Sequence, residues 1–253
     1  MAHINRHMEP GIEFIYKSLT PDESPLVLGV VGSTAYGLAT ENSDKDYLGV
    51  HYVATEKLYG FGATELLKTT RTGSLPDFAS HEVAKFINLC MGGNPTVLEI
   101  LWLEQYEYLS SSFRELINLR HCFLSTKRVK AAYGGYVLQQ AKRLLNRSSE
   151  DGPGGFDPKL KKRTAKHGRH CFRLLSQGMN LLQTGEIVIN VSEHKEFLFN
   201  AGETAENNPQ GFYEAVRKQI AVMDNIDSVL PDHADRERLE SWLVKFRKEQ
   251  YDQ

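Results

Sequence analysis

Two aspartates two positions apart, Asp44 and Asp46, stand at the head of an apolar run over 47–53. A turn of small residues, Gly32-Ser33-Thr34-Ala35-Tyr36-Gly37, closes an earlier apolar run over 26–31. In an extended chain alternate side chains share a face, so the pair presents two carboxylates from one side. Such carboxylates repel until a cation lies between them, and hard divalent ions take oxygen ligands of this kind. The Gly-Ser turn offers backbone N–H groups and a hydroxyl, with no bulk to keep an anion away. A metal clamp and a phosphate cradle this close in sequence suit a nucleoside triphosphate carried with magnesium.

Positioning such a site takes two strands that end and begin side by side. The runs 26–31 and 47–53 fit, being apolar and bounded by glycine or polar residues. Upstream, residues 12–19 predict a short helix stopped by Pro21 and Pro25. Residues 56–74, punctuated by Gly60, Gly62 and Gly73, read as an irregular connection. Val83, Phe86, Ile87, Leu89 and Cys90 recur at helical spacing, with Ser80 as N-cap and Met91-Gly92-Gly93-Asn94-Pro95 as the stop. Residues 96–102 open another apolar helix. Beyond Ser111 the pattern is helical. One long helix is expected over 124–146, with Gly134-Gly135 as its weak point, then a loop over 148–158. A helix over 159–185 follows, with Gly185 as C-cap, and then a short strand over 187–191. The last helices, over 209–229 and 232–250, are expected to pair through Phe212, Val216, Ile220 and Met223 against Leu239, Trp242, Leu243 and Phe246. The fold class expected is α/β (α+β): a mixed sheet with flanking helices over 1–107, followed by a helical bundle over 108–253.

The chain has 253 residues, 41% hydrophobic and 25% charged, which allows one large domain or two modest ones. The first 25 residues are polar and include Glu9, Glu13, Asp22 and Glu23, so no signal peptide is expected. No stretch approaches the roughly 20 apolar residues of a membrane span. Cys90, Cys122 and Cys171 are scattered, and read as reduced thiols of a cytoplasmic protein rather than a disulfide frame or zinc site. Net charge is −2 but uneven: between Arg120 and Asn180 there are 14 Lys or Arg against three acids. From Glu203 onward 11 acids face 7 bases. The basic middle is either a set of solvated helix faces or a surface for polyphosphate or nucleic acid.

Residues 32–50, GSTAYGLATENSDKDYLGV, resemble the nucleotidyltransferases of the DNA polymerase β-like superfamily, whose signature is Gly-Ser, a spacer and Asp-x-Asp. They are more similar still to a bacterial and phage branch with the pattern G-S-x-A-Y-G…S-D-x-D…G-V. Gly32, Ser33, Tyr36, Gly37, Ser43, Asp44, Asp46, Gly49 and Val50 match it. Segments 85–102, 166–187 and 228–243 look like stretches of the same branch. The resemblance implies in-line displacement at the α-phosphorus of a nucleoside triphosphate such as ATP, with pyrophosphate leaving. Catalysis is then positioning and neutralisation of charge. Two Mg²⁺ ions, or Mn²⁺, about 3.5–4 Å apart are to be bridged by Asp44 and Asp46. A third carboxylate is implied on a later strand. Asp77, just after Pro76, is the first choice; Glu65 and Glu82 are the alternatives, Glu82 being expected in the first turn of a helix. Glu56 is a further candidate in the same interval. Ser33 is to contact the β- or γ-phosphate, Gly32 to permit its close approach, and Tyr36 to pack beneath the turn.

A second cluster is cationic. On a helix, Arg163, Lys166, His170 and Arg173 fall within roughly 80° of one face. Cys171, Phe172, Leu175, Met179 and Leu182 fall on another. Lys166, His170 and Arg173 are therefore expected to face the aspartates across a cleft and bind triphosphate or an acceptor phosphate. His167 and His170 have no third neighbour at zinc-ligand spacing. The partners expected are a nucleoside triphosphate and a hydroxyl-bearing acceptor, either nucleic acid such as tRNA or a protein, with no membrane. The sequence leaves acceptor and oligomeric state open. The competing class is a catalytically weak nucleic-acid-binding or antitoxin-type protein on the same fold.

Overall fold

The computed structural model describes residues 12–41, 43–150 and 158–252. Its contacts gather into two compact units. The first takes in residues up to Met91, Thr96–Phe123 and the segment from Ala234 onward; the second takes in Gly92–Pro95 and Leu124–His233. This grouping does not follow the cut expected after residue 107, because residues far apart in sequence close the first unit together.

The first unit begins with α1 (Glu13–Ser18), β1 (Glu23–Val31), the one-turn α2 (Gly32–Ala35) and β2 (Asp46–Val53). A connection through α3 (Ala63–Leu66) leads to the hairpin of β3 (Thr70–Ser74) and β4 (Asp77–Glu82). Then come α4 (Val83–Met91), α5 (Pro95–Leu98), β5 (Tyr108–Leu109) and α6 (Ser111–Asn118). The five strands form one mixed sheet in the order β3-β4-β2-β1-β5. β1 runs antiparallel to β2 and β5, whereas β2 and β4 are parallel. The first seven residues of β1 are buried, and a strand covered on both faces reads as the near-continuous apolar run seen in the sequence. Because Tyr47 and Phe78 are register partners, Phe14 of α1 packs on both rings, at 5.1 and 5.4 Å. Phe86 of α4 packs on Phe113 and Phe123. These three are all at most 1% exposed, each contributing about 1.5–3 kcal/mol by burial.

Three local expectations differ. Residues 70–74 form an edge strand rather than an irregular link; the sequence TRTGS has no apolar face, so periodicity gave no signal. Ser80 lies inside β4, not at a helix start, and its Oγ sits 2.9 Å from His51 Nδ1. Residues 187–191 form no strand.

The second unit contains α7 (Thr126–Val129), a π-helical turn over Lys130–Gly134, α8 (Gly135–Glu150), α9 (Pro158–Thr184), α10 (Lys195–Asn207) and α11 (Pro209–Asp224). The single helix expected over 124–146 is thus interrupted next to the Gly134-Gly135 pair. Tyr133, fully buried, lies against Gly178 of α9, where a Cβ would come within 2.9 Å of its ring. Phe172 of α9 packs on Phe197 and Phe212 at 5.7 and 5.5 Å. Gly185, at φ +77°, donates its N–H to Leu181 O at 2.9 Å and ends α9 as expected.

The chain then returns to the first unit with α12 (Arg236–Tyr251). The expected α11–α12 pair is therefore corrected: α11 packs with α8, α9 and α10, while Phe246 of α12 meets Tyr52 of β2 edge-on at 5.2 Å. Departure and return lie side by side. Asp235 N–H donates to Cys122 O at 2.8 Å in the first unit, and Thr126 N–H to Pro231 O at 2.8 Å in the second. Cys90, Cys122 and Cys171 are all free thiols. No helix among the described residues is long and apolar enough to cross a membrane.

A buried polar network ties the sheet together. Glu23, 1% exposed, accepts from Arg71 Nε and Nη2 at 3.0 and 2.7 Å and from Thr20 N at 2.9 Å. His51, 0% exposed, spans Ser80 Oγ and Thr69 Oγ1, with Glu23 Oε1 at 3.8 Å. Glu82 accepts from Ala84 N at 2.7 Å and from Arg247 Nη2 of α12, and Arg247 Nη1 donates to Val53 O at 2.8 Å. Burial, only partly offset by Glu23, pushes the His51 pKa down from 6.5 to about 4. The unfolded chain is then the stronger proton binder between those two values, so stability is full above about pH 6.5 and falls as pH drops towards 4. The loss is on the order of 3 kcal/mol. Urea midpoints measured from pH 7 to 4.5 should fall accordingly, and His51→Gln should flatten the slope. An equally steep slope in that variant would remove His51 from the account.

Candidate active site

Asp46 is the first residue of β2 and Asp77 the first of β4, and the two are register partners on adjacent parallel strands. Neighbours in register project to one face, so two carboxylates stand side by side at the strand starts. The hairpin turn Leu75-Pro76, between partners Ser74 and Asp77, sets that position. On β1 the partner of Asp46 is Val31, the residue before the Gly-Ser turn. Gly32 has φ +69°, and a Cβ there would fall on Asp46 Oδ2. Only glycine brings the turn this close to the carboxylate. Gly32→Ala should therefore strain the backbone by about 1–2 kcal/mol and displace Asp46. The expected readout is a lowered melting temperature, with a drop in activity beyond what the stability loss explains.

α2 is one turn long, and Val31 at its N-cap offers no side-chain oxygen to the first N–H groups. Ser33 is half-buried there. Tyr36 is buried and donates its hydroxyl to Glu99 Oε2 at 2.6 Å, which anchors the turn from below. Ser43 and Thr40 close a tight turn, Ser43 N to Thr40 O and Thr40 N to Ser43 Oγ both at 2.9 Å. Asp44 follows it, exposed and outside the strand.

Of the alternative carboxylates, Glu82 closes β4 instead of opening the next helix. It lies on the face opposite Asp77, fully buried against Arg247. Burial raises its pKa, with Arg247 pulling the other way. Glu65 is exposed on α3 and Glu56 exposed in a 3₁₀ turn. The oxygen donors of Asp46 and Asp77, with Asp44 two residues upstream, suit a hard divalent ion. Among the described residues no group of three or more His, Cys, Asp or Glu is gathered as a metal site.

A cavity of about 220 Å³ opens beside Asp46 and Asp77. Leu48 and Ala79 line it, with Thr96 and Val97 of α5 and, further along β4, His81. Burial and Lys85 push the His81 pKa down to about 4, so its ring is neutral at pH 7. Neither His81 nor Glu99 was singled out from sequence. Had 77–82 been read as an alternating strand, His81 would have emerged on the Asp77 face.

In the second unit the basic helix is not one solvated stripe. Lys166 is exposed, but Arg173 is 1% exposed and its Nη2 lies 3.5 Å from His170 Nδ1. Tyr136 packs edge-on against His170 at 5.8 Å. Burial, with Arg173, His167 and Lys166, pushes the His170 pKa down to about 3. Neighbouring helices cover the segment that periodicity had turned outward.

A comparison with curated proteins finds no match. Residues 24–209, however, match the model of a family described as the RNA repair pathway DNA polymerase beta family. That span carries all but the first residue of the sheet, the Gly32-Ser33 turn, all three aspartates and most of the helical unit. With well over half of the chain matched and the strand pair in place, the chain belongs to the RNA repair pathway DNA polymerase beta family.

Proposed function

We propose that the chain is a nucleotidyltransferase that moves a nucleoside monophosphate from a triphosphate to a hydroxyl of an RNA end, releasing pyrophosphate. Family membership points to nucleotidyl transfer, and the family's description to RNA. The observation that carries the reading is the register of Asp46 with Asp77, directly beside a Gly-Ser turn that only glycine lets approach so closely. Asp46 and Asp77, with Asp44, are the residues that would hold magnesium or manganese. Divalent ions held there would supply neutralisation of charge on the attacking and leaving oxygens. Gly32 and Ser33 would offer N–H groups and a hydroxyl to the triphosphate, and Asp77 would take the proton of the attacking hydroxyl. Lys166 is exposed on α9, where it would meet a phosphate of the acceptor. His170 is neutral and Arg173 buried, so the two serve to shape that helix.

The test is incubation with each α-labelled triphosphate, Mg²⁺ or Mn²⁺, and separately RNA, DNA and protein. Label on RNA supports the reading. Label on protein keeps the transferase and changes the acceptor, and no label on any acceptor removes the proposal.

A further inference from the structure

The cavity beside the aspartates has a polar far end that nucleotidyl transfer itself does not use. His81 lies on the Asp77 face of β4, four residues along. At about 3.3 Å per residue the two are roughly 13 Å apart, too far to share one metal ion. His81 Nδ1 is 3.0 Å from Thr70 Oγ1. Lys85 Nζ donates to that same hydroxyl at 2.6 Å and to Lys68 O at 3.0 Å. An ammonium only donates, so Thr70 accepts from Lys85. Its own hydrogen then goes to His81 Nδ1, the acceptor that the described residues place for it. This fixes the tautomer with the ring proton on Nε2, which has no hydrogen-bond partner among the described residues. Between His81 and the aspartates, the register partners Leu48 and Ala79 form an apolar floor, and Val97 lines the same space. At about 220 Å³ the cavity is smaller than the roughly 300–1,000 Å³ of whole-ligand sites, and so suits a single ring system.

We infer that His81 is a specificity-determining residue whose Nε2–H donates to an acceptor atom of a nucleobase lying on Leu48 and Ala79. The base is that of the incoming triphosphate or of the terminal nucleotide of the RNA acceptor. The inference rests on the nucleotidyltransferase reading, because a nucleotide held by its phosphate at Asp46 and Asp77 spans that distance to its base. The apolar floor strips water from the ring, and a buried donor rejects a base that offers no acceptor to it.

Calorimetric titration in Mg²⁺ tests this with three sets of probes. They are the four nucleoside triphosphates, tripolyphosphate without a base, and four short RNAs differing only in the terminal base. The wild-type protein should prefer one base within one set. His81→Ala should weaken that ligand about tenfold and level the preference, leaving tripolyphosphate unchanged. His81→Gln, which keeps an N–H donor, should retain part of the preference. Ala79→Leu fills the floor without touching His81, and should weaken all four bases of the same set. Thermal melts establish that each variant is folded. Loss in the triphosphate set identifies the incoming base, and loss in the RNA set the acceptor base; either supports the inference. A wild type without base preference, or His81→Ala with preference intact, overturns it and leaves the transferase reading standing. A wild type that binds neither triphosphate nor RNA overturns both.

Discussion

Asp46→Asn is expected to lower nucleotide transfer to RNA by about a thousandfold or more, the scale of losing a group that stabilises transition-state charge. The substitution keeps shape and removes the charge beside Gly32. Asp77→Asn should fall as far, because its carboxylate is the register neighbour of the first. Asp44→Ala should also abolish transfer. Melting temperatures should hold or rise slightly, since removing one carboxylate of a crowded set relieves like-charge repulsion. Glu65→Gln, on exposed α3, should leave the rate unchanged. The measurement is initial rate with labelled triphosphate at saturating RNA. Wild-type rates in Asp46→Asn and Asp77→Asn together would mean that the paired strand starts are not the centre of the chemistry.

The largest stability effect is expected far from that pair, at Arg247→Ala. Arg247 is the cationic partner of a carboxylate that is fully buried, and it also donates to Val53 O. Removing one partner of a buried pair typically costs about 3–5 kcal/mol. The Glu82 carboxyl can limit the loss by taking up a proton, since burial already raises its pKa, so about 3 kcal/mol is expected here. Calorimetry should show a drop of roughly 10 °C. Arg247→Ala combined with Glu82→Gln should recover part of it, because the uncompensated charge is then gone. A double variant no more stable than Arg247→Ala would mean that packing of α12, not charge, sets the loss.

The two expectations draw on parts of the chain that were unequally legible in sequence. The Gly-Ser turn and the aspartates stood out because their chemistry is local: glycine, small residues and acids at fixed spacing between two apolar runs. The start of β4 followed from Pro76 and Asp77, again over a few residues. Arg247 and Glu82 are 165 positions apart, and nothing periodic connects them. Glu82 was read as a helix-start acid because Ser80 resembles an N-cap. Tertiary pairing instead kept 77–82 extended, and the hydroxyl was taken up by His51. The basic stripe misled for a related reason. A helical wheel divides a helix into one apolar and one polar face, whereas α9 is packed from several sides and buries Arg173 with its apolar neighbours. Legibility ended where a residue's partner lay on another element.

The first unit breaks off at Phe123 and resumes at Ala234, and Cys122 O and Asp235 N–H are hydrogen-bonded at the two ends of that gap. A segment bounded in this way can lengthen or shorten without altering the sheet register, since each doubling of a loop adds only about 0.6 kcal/mol of closure entropy. Residues between those two ends can therefore vary in number while Asp46 and Asp77 keep their register. The gap also sets an order on the ribosome. Residues 124–233 are made before α12, which belongs to the first unit. Glu82 therefore lacks its arginine until that stretch has been made.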